Sequence, residues 1–134
     1  MADTPVIVQS VVLPAPPAKL YAAYLNSREH SRFTGAPAKI SGNVGGKFTA
    51  FDGQIAGRNL LLTRNETIVQ AWRATHWPRK DADSILILRF SKAPGGGRID
   101  LVHINVPAHD HKGVTDGWTS YYWKPWKAYL EKVS

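Results

Sequence analysis

The chain has no cysteine. That excludes a disulfide framework and a thiolate metal site. It has no run near the ~20 consecutive apolar residues that a membrane-spanning helix needs. Met1 to Pro5 carries no basic region, and Val6 to Leu13 is broken by polar residues, so no signal-peptide pattern is present. A cytoplasmic protein is expected. Acidic residues are scarce: 10 Asp and Glu against 17 Lys and Arg, a net charge of +7. Such a balance suits acidic partners and says nothing of fold. Catalytic signatures are missing too. There is no nucleophile elbow, phosphate loop or HExxH pattern. Asp52 and Asp100 are isolated carboxylates, and Gly95-Gly96-Gly97 lacks the lysine and following helix of a phosphate cradle. No enzyme activity and no cofactor are expected.

What remains is an ordinary soluble composition with five tryptophans. The 134 residues fit one domain, 1–134, with a single core. Val6 to Leu13 reads as a first strand, stopped by Pro14, Pro16 and Pro17. Pro16 and Pro17 suit a helix start. Leu20, Tyr21, Tyr24 and Leu25 continue at helical spacing, and Asn26-Ser27 separates this helix from a second, Arg28 to Phe33. Strand-like segments follow at Lys47–Asp52, Gln54–Thr63, Thr67–Trp77, Ser84–Ser91 and Arg98–Val106. Asp52-Gly53, Arg64-Asn65-Glu66, Pro78 to Asp83 and Pro94 to Gly97 are the turns between them. Five strands without intervening helices imply an antiparallel meander. In a regular strand Trp72 and Trp77, five apart, would face opposite ways. Either both sheet faces are occupied there or a bulge intervenes. Lys112 to Val133 changes period: Val114, Trp118, Tyr121, Tyr122, Pro125, Tyr129 and Val133 share one helix side. Pro125 should kink this helix. The expected architecture is α+β: a curved six-stranded antiparallel sheet, two short helices, and a long C-terminal helix across the concave face.

The ordered motifs carry a resemblance. They are Phe33-Thr34-Gly35-Ala36-Pro37-Ala38, Gly45-Gly46-Lys47-Phe48, and Asp52-Gly53-Gln54-Ile55-Ala56-Gly57. Then come Ile68-Val69-Gln70-Ala71-Trp72-Arg73, Trp77-Pro78, Val106-Pro107 and Gly117-Trp118-Thr119-Ser120-Tyr121-Tyr122. Together they resemble the C-terminal domain of the activator of heat-shock protein 90 ATPase, in the START-like (SRPBCC, helix-grip) superfamily. The resemblance covers essentially the whole chain. It implies a helix-grip fold and a non-enzymatic co-chaperone-like module that binds heat-shock protein 90 and promotes its ATPase cycle. It also implies a companion N-terminal domain in the full co-chaperone, which supplies the main grip on the chaperone. The alternative reading is a START-like carrier or sensor of a hydrophobic small molecule.

Site residues follow from these two readings. Trp72 and Trp118 are either core or the wall of a cavity between sheet and helix. Phe51, Trp72, His103, Trp118 and Tyr122 would line it. His103 is otherwise a buried hydrogen-bonding histidine. Trp123 and Trp126 fall off the helix stripe, so they either pack on Lys or Arg stems or stand exposed as interface anchors. Lys124, Trp126 and Lys127 form the expected partner-binding patch. His109-Asp110-His111 reads as a solvated loop, because three adjacent residues rarely converge on one ion, and no metal is expected. The basic residues Arg58, Arg64, Arg73, Arg79, Lys80, Arg98, Lys112, Lys124 and Lys127 are dispersed rather than striped. They fit an acidic protein partner better than nucleic acid.

Overall fold

The structure is a computed structural model and describes residues 4–133. Its frame is one antiparallel sheet. The strands are β1 (Ile7–Leu13), β2 (Lys39–Ile40), β3 (Lys47–Ala50), β4 (Ile55–Thr63), β5 (Thr67–Ala74), β6 (Ser84–Ala93) and β7 (Gly96–Ile104). They lie in the order β1-β7-β6-β5-β4-β3-β2. The sheet thus has seven strands where six were expected. The addition is β2, two residues long, paired through Lys39 with Thr49 and Ile40 with Phe48. So short an edge carries no alternation that a sequence pattern could register.

Two helices carry the chain from one sheet edge to the other. Helix α1 (Pro17–Tyr24) opens with proline in its first turn and α2 (Ser27–Thr34) is capped at both ends. The Asn26 side chain accepts the Glu29 amide hydrogen at 2.9 Å, and Gly35 closes the helix at φ 79°. A β-carbon would resist that left-handed backbone. The β6–β7 hairpin turns on Pro94-Gly95, with Ala93 paired to Gly96. Proline supplies the first turn dihedral and Gly95 the positive φ of 86° that follows.

After a 3-10 turn (Ala108–Asp110) the C-terminal segment runs as α3 (His111–Gly117), a π-helical turn (Trp118–Trp123) and α4 (Lys124–Val133). The π turn corrects the expected helix stripe. One added residue moves each later side chain a position along the helix. Core contacts are therefore made by Val114, Trp118 and Tyr122, then Trp123, Trp126 and Leu130. Tyr121 stands in solvent at 63% exposure. Pro125 sits just beyond the wide turn. It has no amide hydrogen to give the Tyr121 carbonyl, so the ladder is already weakened there.

The core fills the sheet face that the helices cover, with Ile68, Leu86, Leu88, Ile99 and Leu101 fully buried. Strand β5 stops at Ala74, earlier than expected. Trp77 lies in the turn beyond it, where its ring comes back to 5.8 Å from that of Trp72. The chain reverses, so the five-residue spacing no longer sends the two rings to opposite faces.

Candidate functional site

A cleft of about 510 Å³ opens between the sheet and the start of the C-terminal segment. Trp72 of β5, Trp118 and Tyr122 of the π turn, Phe51 and Ile55 form its apolar walls. Gln54, His76, Asp110 and Tyr121 add polar groups to the lining. The helix side is low because Gly113 and Gly117, one turn apart, face the cleft. Four of the five expected lining residues are therefore brought together: Phe51, Trp72, Trp118 and Tyr122. His103 is the exception and lies behind them.

Phe51 reaches the cleft through an unusual backbone. Phe51, Asp52 and Gly53 have φ of 52°, 56° and 86°. A bulky residue in the left-handed region is strained. The Asp52 amide holds the loop by donating to the Pro37 carbonyl at 2.9 Å. The Phe51 ring then meets Tyr122 edge-on at 5.4 Å.

Two buried histidines fix the cleft's aromatic walls from behind. The Trp118 indole donates from Nε1 to His103 Nδ1 at 3.1 Å. Nδ1 must accept, so the hydrogen of neutral His103 lies on Nε2 and points to Ser84 Oγ at 2.8 Å. Ser84 in turn donates to the Trp72 carbonyl at 2.6 Å. Burial, with a smaller push from His111, lowers the His103 pKa to about 3. The second is His30 on α2. Its Nδ1 donates to the Tyr24 carbonyl at 2.8 Å, leaving Nε2 to accept from the Tyr122 hydroxyl at 2.9 Å. Burial lowers this pKa to about 4, against a smaller opposing effect of the Tyr24 carbonyl. Burial also drives the Tyr122 hydroxyl well above its ordinary value. Both histidines are thus neutral connectors that set ring orientation. The sequence reading missed His30; its spacing of three from Phe33 on one helix was the only local sign that it faces inward.

One residue of the cleft wall carries a buried polar atom without a partner. Trp72 is 4% exposed, and its Nε1 finds no hydrogen-bond acceptor in the protein. At the rim, Asp110 accepts the Trp77 indole hydrogen at 2.7 Å and lies 3.5 Å from His76 Nε2. The His109-Asp110-His111 run diverges. His109 Nε2 contacts Asp81 at 2.7 Å, and His111 Nε2 reaches the Pro5 carbonyl at 2.8 Å. No group of three metal-ligating side chains converges among the described residues.

The expected partner patch on α4 needs correction. Lys124 and Lys127 do face solvent. Trp126 does not: it is fully buried and stacks on Phe33 with centroids 4.0 Å apart and planes at 4°. Trp123 is buried too and donates from Nε1 to Gln9 at 2.8 Å. The extra residue of the π turn rotates both rings inward. No aromatic anchor stands between the two lysines.

An antiparallel sheet closed over a C-terminal helix, with an aromatic cleft at one end, defines a helix-grip α+β domain of the START-like class. Residues 14–131 match the family model described as Activator of Hsp90 ATPase homolog 1-like protein, and the chain belongs to that family. The human Activator of 90 kDa heat shock protein ATPase homolog 1 is 30% identical over 108 residues, covering 81% of this chain and 32% of the relative. The mouse homolog 2 is 29% identical over 113 residues, covering 84% and 34%. The chain therefore spans about a third of the length of these curated relatives. An Hsp90 activator from Plasmodium falciparum superposes with a TM-score of 0.79 at 25% identity, covering 87% of this chain and 89% of the other. No helix among the described residues is long and apolar enough to cross a membrane.

Proposed function

We propose that this domain is a non-enzymatic co-chaperone-like module that binds heat-shock protein 90 and promotes its ATPase cycle. The observation that carries the reading is the family match across residues 14–131. A module of this kind acts by differential affinity: it shifts the chaperone only as far as it binds the closed state better than the open one. A bias of about 1.4 kcal/mol changes the ratio of the two states tenfold. The net charge of +7 favours encounter with an acidic surface. Lys124 and Lys127 contribute charge to α4 without an apolar centre. The test is a pulldown and a steady-state ATPase assay with the chaperone of the same organism, at low and high salt. Binding that weakens with salt and raises turnover is expected. No binding at low salt sinks the reading. Lys124→Glu with Lys127→Glu should weaken binding more at low salt than at high; no change would remove α4 from the contact.

One observation favours a second reading, a carrier or sensor of a hydrophobic small molecule. Trp72, Trp118, Tyr122 and Phe51 line an apolar cleft of about 510 Å³. A ligand with an apolar ring would pack against these four side chains. Native mass spectrometry of the purified protein, followed by tryptophan-fluorescence titration with 8-anilinonaphthalene-1-sulfonate, checks this. A retained ligand, or saturable binding that Trp72→Phe weakens, supports it. A bare chain mass with no saturable binding rejects it.

A further inference from the structure

The sheet face opposite the helices is not patterned like a face that meets water. An antiparallel sheet covered on one side alternates apolar and polar residues along each strand. Here Ile85-Leu86-Ile87-Leu88 is apolar throughout. Leu86 and Leu88 enter the core, while Ile85 and Ile87 point the other way. The registers align their neighbours. Val8 pairs with Val102, Val102 with Ile87, Ile87 with Val69, and Val69 with Leu61. This single row crosses β1, β7, β6, β5 and β4, about 19 Å at the usual strand spacing. A second row beside it runs Ile104, Ile85 and Ala71. The row ends are open to solvent: Val8 is 70% exposed and Leu61 48%. A contiguous apolar patch of this kind marks an interaction surface.

Its border is basic. Ala71 pairs onward with Arg58, and the row on the other side holds Asp100 and Arg89. Arg98 binds Asp100 at 2.9 Å and neutralises the acid of that row. We propose that this outer sheet face docks an acidic protein surface, with the apolar rows as the interface core and Arg58 and Arg89 at its rim. The inference rests on the co-chaperone reading for the partner's identity, and it supplies the apolar centre that α4 lacks. The face carries no aromatic ring in these rows, so it lacks the stacking platform of a single-stranded nucleic-acid site. A second copy of the chain would bring the same +7 charge against it.

The experiment measures affinity of the purified domain for the chaperone at low and high salt, with melting temperature and sedimentation as controls. Val8→Glu with Leu61→Glu should weaken binding by about tenfold or more, as when an interface centre is made polar. Arg58→Glu with Arg89→Glu should weaken it strongly at low salt and less at high salt. The arginine variant decides the matter if the first variant melts early. If the unaltered domain binds and both variants bind equally well, the face is not the contact and only this inference falls. If the unaltered domain does not bind at low salt, the co-chaperone reading falls and takes this inference with it. A dimer of the unaltered chain that Val8→Glu with Leu61→Glu converts to monomer would make the face a self-interface and overturn the proposal.

Discussion

Trp126→Ala is expected to destabilise the domain by about 3–5 kcal/mol, the usual cost of removing a buried indole. The ring is fully buried, and three aromatic partners surround it. It stacks on Phe33, lies 6.4 Å from Tyr24 and 6.5 Å from Trp123. Its removal leaves a void that α2 and α4 cannot close, because each is fixed at its own end of the sheet. For a chain of this length the loss corresponds to a fall in Tm of roughly 10–20 °C. Trp126→Phe is the informative companion. It keeps a ring against Phe33 and removes an indole Nε1 that has no hydrogen-bond partner. Its cost should stay below about 1.5 kcal/mol. Denaturant unfolding of both variants provides the measurement. A loss under about 1 kcal/mol for the alanine variant would return Trp126 to the surface and reinstate it as a partner anchor.

The second large effect is expected from acid. His30 and His103 are neutral in the folded protein, with pKa values lowered to about 4 and about 3. In the unfolded chain both titrate near 6.5. Between these limits the unfolded state binds more protons, so stability falls as pH falls. The contribution of the neutral histidines is fully present above about pH 6.5 and drains away from there toward pH 4 and pH 3. From pH 7 to pH 5 each histidine should cost about 2 kcal/mol, roughly 4 kcal/mol for the pair. Urea midpoints at pH 7, 6 and 5 test this. A slope approaching two protons per molecule is expected near pH 5. A flat profile would mean that water reaches both rings. Asp100 acts in the same direction at lower pH. The Ser10 hydroxyl first, then Arg98, lowers its pKa against some burial, so its contribution is lost only as the carboxylate protonates.

These two effects sit on residues that the sequence reads differently. The expected helix side, Val114, Trp118, Tyr121, Tyr122, Pro125, Tyr129 and Val133, leaves Trp126 out, although Trp126 follows Tyr122 by four residues. A π turn is set by how the wide turn packs on the sheet, and nothing within a few residues of Trp118 announces it. His30 lies in a strongly polar helix, Ser27-Arg28-Glu29-His30, and is buried because Tyr122 meets it from 92 positions away. His103 was legible as either a pocket residue or a buried hydrogen-bonding one. Which of them it is depends on Ser84 and Trp118, contributed by different elements.

The local features were legible because their causes are local. Asn26 caps α2 through an amide three residues on, and Gly35 and Gly95 hold dihedrals that other residues resist. Proline ends β1 and opens α1. These cues, with the alternation of the strands, determine the order of elements and the antiparallel meander, while the ordered motifs from Phe33 to Tyr122 carry the family resemblance. The choice of face belongs to the tertiary structure. Trp123 finds its acceptor on Gln9, 114 positions earlier, and the outer row from Val8 to Leu61 exists only once five strands are in register. Burial and alignment arise between segments distant in the chain, whereas capping and turn formation are complete within a few residues.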